Sequence, residues 1–178
     1  FQPIVELNSQ RVQSVELLAR WQHPQRGLLP PAQFIALAED AGLIGALMLS
    51  VLRNAFAELP ALPAHWRVSV NVAPQQIQDE TLVPQLLALL AEHGVPPARL
   101  DVELTETALV RDTSAARRVM RDLKLAGFTV TLDDFGTGHS SLAYLAELDF
   151  DKIKIDRSFV HTLRERPQSA KVVDAIIG

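Results

Sequence analysis

The sequence predicts an α/β protein with one largely parallel sheet, and three observations support this fold class. Short strand-like runs alternate with helix-like segments of about 10–15 residues, which is typical of right-handed βαβ units. The first two strand-like runs are joined by only a short polar link, "NSQR", which favours an antiparallel hairpin. The chain has 178 residues, of which 48% are hydrophobic, so it can bury one substantial core.

Six strands are predicted from short runs that are rich in β-branched residues and bounded by turn-forming residues. The first two form the hairpin, and the other four extend the sheet in parallel. In chain order the strands are "QPIVEL", "VQSVELLARW", "WRVSVNV", "RLDVELTE", "FTVTLDDFG" and "DKIKID".

Helices are predicted in the connections between the strands. The first has proline near its start and Gly42 near its end, which are typical positions for these residues. In chain order the helices are "PPAQFIALAEDAGL", "IGALMLSVLRNAFAEL", "LVPQLLALLAEHG", "SAARRVMRDLKLAG", "SSLAYLAEL" and "QSAKVVDAIIG".

Composition and charge argue against several classes of function. The formal net charge of −4 gives no basic footprint for a long nucleic acid. No uninterrupted apolar stretch approaches the roughly 18 residues that a membrane-spanning helix needs. The chain has no cysteine, so disulfides and thiolate metal sites are excluded and the reducing cytoplasm is the expected compartment.

Four acidic side chains, one amide and one lysine lie within or at the ends of five of the predicted strands. They are Glu16, Asn71, Glu103, the adjacent pair Asp133 and Asp134, and Lys154. In parallel α/β folds the carboxyl ends of the strands meet on one face, so these residues are expected to share a pocket. Hard divalent cations such as Mg²⁺ or Mn²⁺, which prefer oxygen ligands, would relieve the repulsion among the acids.

The adjacent aspartates suit a centre with two metal ions, because one carboxylate can bridge both ions while its neighbour binds the second. Two ions about 3.5–4 Å apart stabilise the attacking and leaving oxygens of a phosphoryl displacement. Structural alternatives stay open at this point. Asp133 and Glu103 could cap helices or form salt bridges, Asn71 could satisfy a turn, and Lys154 could be an ordinary surface lysine.

Several motifs occur in a fixed order along the chain: "QPIV", "VELLARWQHP", "VSVNV", "ELTET", "DDFGTGHSSLAYL" and "KIKIDRSFV". In this order they resemble the EAL domain, the bacterial phosphodiesterase domain specific for cyclic di-GMP. The resemblance implies a TIM-like (β/α)8 barrel with an antiparallel first strand. It also implies hydrolysis of cyclic di-GMP to linear pGpG with two Mg²⁺ or Mn²⁺ ions. The family signature reads Glu16-Leu17-Leu18 here in place of Glu-Ala-Leu, a change expected to affect packing more than metal binding.

The resemblance also implies metal-binding and catalytic roles for the strand-end residues. Lys154 would assist the nucleophilic water, and Asp133 and Asp134 would share in the second metal ion. The implied ligands of the first ion are Glu16, Asn71, Glu103 and Asp133. The implied catalytic residues are Glu16, Lys154, Asp133 and Asp134.

Three further residues match substrate or loop positions of the family. Gln2 and Arg20 would contact the substrate, Arg20 through a phosphate, because a guanidinium can make paired, charge-assisted hydrogen bonds. The alternative for Arg20 is an exposed ion pair with a nearby acid. Glu106 would anchor the "DDFGTG" loop, a region that the family links with dimerisation.

The family pattern continues with an "EGVE"-like and a "QG"-like strand that this sequence does not contain. Residues 1–178 are therefore expected to be one EAL domain, incomplete at its C-terminus and truncated after about six strands. The expected partners are cyclic di-GMP, a second copy in a homodimer, and sensor or diguanylate cyclase domains of the parent protein. The domain itself is expected to be cytoplasmic, even in a membrane-anchored parent protein. The alternative function is an inactive domain that binds cyclic di-GMP or a protein.

Overall fold

The structure is a computed structural model that describes residues 1–136 and 148–162. The helix predicted over 168–178 lies outside the described residues. So does the helix predicted over 140–148, except for its last residue.

Six strands form one sheet, and two short strands form a separate hairpin. In chain order the strands are β1 Gln2–Val5, β2 Val12–Glu16, β3 Trp21–His23, β4 Gly27–Leu29, β5 Arg67–Val72, β6 Leu100–Thr105, β7 Thr129–Phe135 and β8 Lys152–Ile155. The large sheet has the order β1-β2-β5-β6-β7-β8. β1 pairs antiparallel with β2, and each later pair is parallel, which confirms the predicted hairpin and parallel sheet.

The helices lie in the connections between the strands. They are α1 Ile35–Asp40, α2 Ile44–Glu58, α3 Leu82–Glu92, α4 Glu106–Arg111, α5 Thr113–Leu125 and α6 Arg157–Thr162. Among the described residues, no helix is both long and apolar enough to cross a membrane.

The core lies between the helices and one face of the sheet. Leu52 of α2, Leu86 of α3 and Leu123 of α5 are fully buried in the same cluster as Val68 of β5 and Leu104 of β6. Burial of each such side chain contributes roughly 1.5–3 kcal/mol. This packing holds the four central strands in place and fixes the direction of their carboxyl ends.

The other face of the sheet is polar, because side chains alternate between the two faces of a strand. Its residues on β5 to β8 include Ser69, Asn71, Asp101, Glu103, Thr131, Asp133, Lys152 and Lys154. A curled sheet with helices on one face and polar side chains on the other is the expected arrangement for part of a (β/α)8 barrel.

Two local features differ from the prediction. The second predicted strand ends at Glu16 rather than Trp21, and the run from Trp21 to Leu29 forms the β3–β4 hairpin, which the sequence did not predict. β6 ends at Thr105, and the next residue starts α4, which the sequence did not predict. The Thr105 side chain caps that helix by accepting a hydrogen bond from the Ala108 backbone N–H at 3.3 Å.

Candidate active site

The ends of four strands bring charged side chains from distant parts of the chain to one place. The Lys154 Nζ on β8 lies 2.7 Å from Glu103 Oε2 on β6 and 3.0 Å from Glu16 Oε2 on β2. Asp133 Oδ2 on β7 lies 3.5 Å from the same nitrogen. One ammonium group therefore marks a point that three carboxylates share.

Burial shapes the electrostatics of this centre. The Glu103 side chain is only 2% exposed. Burial raises the pKa of Glu103, although the adjacent Lys154 ammonium acts in the opposite direction. Burial also lowers the pKa of Lys154, but the carboxylates of Glu103, Glu16 and Asp133 outweigh it and raise that pKa above its ordinary value. Lys154 therefore stays protonated at neutral pH and can donate hydrogen bonds, but it cannot accept a proton.

Asn71 on β5 joins the same group of side chains. Its amide nitrogen donates to Glu16 Oε1 at 2.9 Å, and its backbone lies opposite Glu103 in the β5–β6 register. The structure thus brings together Glu16, Asn71, Glu103, Asp133 and Lys154, as the sequence predicted. Each comes from a different strand of the sheet.

The adjacent aspartates are accommodated by a bulge near the end of β7. The β7–β8 register shifts between Leu132 and Phe135, and Asp134 adopts a left-handed backbone conformation with φ 54°. The Asp134 backbone N–H donates to Asp133 Oδ1 at 2.9 Å, while Asp133 Oδ2 faces Lys154. Burial, followed by the charge of Asp133, raises the pKa of Asp134. The two carboxyl groups can therefore differ in role.

The chemistry of these side chains fits hard divalent cations. Three carboxylates against one ammonium leave an excess of negative charge, and all the donors are oxygen or amide groups. In the part of the chain that the structure describes, no group of three or more acidic or histidine side chains has the spacing of a metal site. The acids are instead held at ion-pair distance around the Lys154 ammonium.

Gln2 lies beside this centre, and Arg20 follows β2, the strand that carries Glu16. Gln2 is exposed on β1, directly opposite Glu16 in the antiparallel register. Arg20 is exposed, and its Nη1 donates to the carbonyl oxygens of Leu18 at 3.3 Å and Ala19 at 2.9 Å. No carboxylate among the described residues forms an ion pair with Arg20, so its guanidinium keeps donors for another acceptor.

Glu106 contacts the first part of the predicted loop. Its side chain is buried, and Oε2 accepts a hydrogen bond from the Gly136 backbone N–H at 2.9 Å. Gly136 has φ 96°, a conformation that favours glycine. The predicted contact of Glu106 with the loop is present at Gly136, while 137–147 lie outside the described residues.

Sequence reasoning missed a cavity beside Asn71. Its volume is about 290 Å³, and apolar side chains such as Leu17, Met48, Val70 and Pro74 line most of it. The hint in the sequence is the apolar run Leu17-Leu18-Ala19 that follows Glu16, since all three residues line the cavity. The cavity opens next to the charged centre.

The chain is similar in sequence to known proteins over its whole length. The sequence model of the EAL domain matches residues 1–178. PdeR of Escherichia coli (strain K12), a cyclic di-GMP phosphodiesterase, is 40% identical over 171 residues, covering 94% of this chain and 26% of PdeR. The chain spans between 21% and 26% of the length of the first curated relatives it matches.

Solved structures confirm the fold. The PaMucR phosphodiesterase of Pseudomonas aeruginosa, in complex with cyclic di-GMP, matches with a TM-score of 0.89 at 36% identity. That match covers 99% of this chain and 73% of the solved one. BlrP1 of Klebsiella pneumoniae, in a manganese and cyclic di-GMP complex, has a TM-score of 0.82 at 31% identity over 98% of this chain and 44% of its own.

Proposed function

The chain belongs to the EAL domain family, and on that premise we propose that it hydrolyses cyclic di-GMP to linear pGpG. The observation that carries the proposal is the convergence of Glu16, Glu103 and Asp133 on the Lys154 ammonium. An excess of carboxylates in one place suits cation-assisted phosphodiester hydrolysis. PdeR, PaMucR and BlrP1 add support, since each is a phosphodiesterase or was solved with cyclic di-GMP bound.

The proposed cofactors are two divalent cations, Mg²⁺ or Mn²⁺. Glu16, Asn71, Glu103 and Asp133 would hold the first ion, and Asp133 and Asp134 would share in the second. When bound, such ions withdraw charge from phosphoryl oxygens and make water more acidic. Asn71 would turn its amide so that the oxygen, rather than the nitrogen, faces the centre, because Nδ2 now donates to Glu16.

Lys154 supplies a fixed positive charge in this proposal. It stays protonated, because the surrounding carboxylates raise its pKa. Its three N–H groups can therefore orient the attacking water and stabilise negative charge as it develops on the phosphate. Removal of a proton from the water falls to a carboxylate of the centre, because the protonated Lys154 cannot accept one.

Arg20 and Gln2 are the proposed substrate contacts. Arg20 already donates to two carbonyl oxygens, and its other guanidinium N–H groups can reach a phosphate. Gln2 lies opposite Glu16, so its side-chain amide could contact a substrate bound next to the Glu16 carboxylate.

Partners and domain limits belong to the proposal as well. We expect a homodimer, in which the loop that Glu106 contacts takes part, and fusion to sensor or diguanylate cyclase domains. The prediction that residues 1–178 are one EAL domain, incomplete at its C-terminus, stays a prediction. Cytoplasmic location also stays a prediction.

Turnover by the full-length protein tests the proposal. Release of pGpG from cyclic di-GMP in the presence of Mn²⁺ is expected, and Glu16→Ala should abolish it. Glu92→Ala, which removes an exposed glutamate on α3, is the matched control and should leave turnover unchanged. Binding of cyclic di-GMP without any turnover by the unsubstituted protein would contradict hydrolysis and support the inactive, binding alternative.

A further inference from the structure

A second charged cluster lies at the amino ends of the same parallel strands, on the polar face of the sheet. At its centre is Asp101 on β6, whose side chain is only 4% exposed. Arg67 Nε on β5 donates to Asp101 Oδ1 at 2.6 Å, and Lys152 Nζ on β8 donates to Oδ2 at 2.5 Å. The Arg67 guanidinium also donates to the Thr129 hydroxyl on β7. Asp101 thus links β5, β6 and β8 directly, and Arg67 joins β7 to the same cluster.

The Lys152–Asp101 pair has the same arrangement as the Lys154–Glu103 pair of the proposed active site, two residues nearer the amino ends of the strands. Lys154 reaches across β7 to Glu103 at 2.7 Å, and Lys152 reaches across β7 to Asp101 at 2.5 Å. The two lysines are two residues apart on β8, and the two acids are two residues apart on β6. The pairs therefore run parallel and are set by the same strand register.

The sequence of β8 leaves that register poorly specified. The strand reads "KIKI", so a shift by two residues preserves the alternation of charged and apolar side chains. The pairing with β7 is also irregular between Leu132 and Phe135, which weakens the constraint from the backbone ladder. Side-chain contacts must therefore help to distinguish the observed register from its neighbours. One of them is made by the Asp151 carboxylate, which accepts a hydrogen bond from the Val130 backbone N–H at 2.8 Å.

Asp101 supplies a second such contact, on the polar face of the sheet. A shift in one direction would place Phe150 opposite Asp101, so that the carboxylate would keep Arg67 but would have an apolar ring in place of the Lys152 ammonium. A shift in the other direction would place Lys154 at Asp101 and bring Asp156 towards Glu103, so that two carboxylates would meet. Only the observed register gives both buried acids a lysine. Losing one of the cations beside a buried carboxylate, or bringing a second carboxylate to it, is unfavourable.

We propose that Asp101 and Lys152 form a positioning pair that fixes the register of β8 and so delivers Lys154 to the active site. Lys152 acts through Lys154 and does not touch the reacting groups. The kinetic consequence rests on the proposed phosphodiesterase function, whereas the effect on the strand does not. Arg67 keeps Asp101 paired when Lys152 is removed, so the variant is expected to fold.

The test compares Lys152→Met with a matched control in the full-length protein. The control is Arg121→Met, because Arg121 also forms an ion pair, with Asp122 at 3.3 Å, but within the exposed surface of α5. Lys152→Arg keeps the charge and should restore the unsubstituted behaviour. Hydrogen exchange of the β8 amides and steady-state kinetics with cyclic di-GMP are the two readouts.

Lys152→Met should speed exchange of the β8 amides by roughly tenfold or more relative to Arg121→Met. It should lower kcat by roughly ten- to a hundredfold with little change in KM, because the substrate-binding residues stay in place while Lys154 is displaced. Equal β8 exchange in the two variants would overturn the proposal, even if turnover changed. If the unsubstituted protein shows no turnover, the proposed function fails, and the exchange readout still decides the register.

Discussion

At the scale of single residues, the Lys154 ammonium explains how three carboxylates share one place. Glu103 is buried almost completely, and without a cation beside it an ionised carboxylate there would be strongly disfavoured. The Asp133 carboxylate has a partner for each oxygen. One oxygen faces Lys154, and the other accepts a hydrogen bond from the Asp134 backbone N–H, which offsets the repulsion from the Asp134 carboxylate. The sequence predicted which residues meet. It could not predict that the lysine stands at their centre, because spacing along the chain carries no distances.

Lys154→Met should lower kcat by roughly 10²–10³-fold, the usual effect of removing one group that stabilises developing charge. KM should change much less, because Lys154 is not a proposed substrate contact. The measurement is steady-state release of pGpG with Mn²⁺, with circular dichroism to confirm the fold. A variant with unchanged kcat would show that the ammonium serves structure alone.

The Glu103 carboxyl should make the protein's stability depend on pH. Burial raises its pKa above 4.5, so at pH values just above 4.5 the folded state binds more protons than the unfolded state. The stability that this carboxyl contributes is therefore fully present below the unfolded pKa and is lost as the pH rises through the folded pKa.

Glu103→Gln cannot ionise and lacks this dependence. In the presence of a chelator, the Tm of the unsubstituted protein minus that of the variant should fall as the pH rises from about 4 to about 7. A difference that grows with pH over that interval would contradict the assignment.

At the scale of elements, the long parallel strands were predictable and the short elements were not. β5, β6 and β7 combine alternation with β-branched residues over six or seven positions, which gives a clear signal. β3 and β4 have three residues each, too few for any period to show. α4 begins directly after β6, and only the capping residue Thr105 signals the change.

Gly136, just after the end of β7, donates a hydrogen bond to Glu106 of α4 and lies close to Phe159 of α6. A Cβ at this position would lie 2.7 Å from Phe159 Cε2, and φ is 96°. Gly136→Ala should therefore lower the free energy of unfolding by more than about 1 kcal/mol.

Gly45→Ala on α2 is the control for this substitution, because nothing lies within 4 Å of its Cβ position. It should be neutral or stabilise by up to about 1 kcal/mol, as expected for replacing a helical glycine. Chemical denaturation of both variants measures the difference. Equal stability of the two would mean that the end of β7 tolerates a side chain.

At the scale of the whole molecule, one face of the sheet stabilises the fold and the other carries the charged side chains. The helix-covered face supplies the apolar core, and the polar face carries one charged cluster at each end of the strands. The sequence predicted the cluster at the carboxyl ends, because parallel folds place their chemistry there. It did not reveal the cluster around Asp101, since the register that joins Lys152 to Asp101 is a property of the folded sheet.

The most direct test of the central claim is crystallography of the full-length protein soaked in Mn²⁺. The prediction is an anomalous peak that shares oxygen ligands from Glu16, Asn71, Glu103 and Asp133, each within about 2.5 Å. Lys154 would then lie beside the peak and no longer at the point the carboxylates share. A crystal that binds manganese elsewhere, with these four side chains keeping their contacts to Lys154 and to one another, would contradict it.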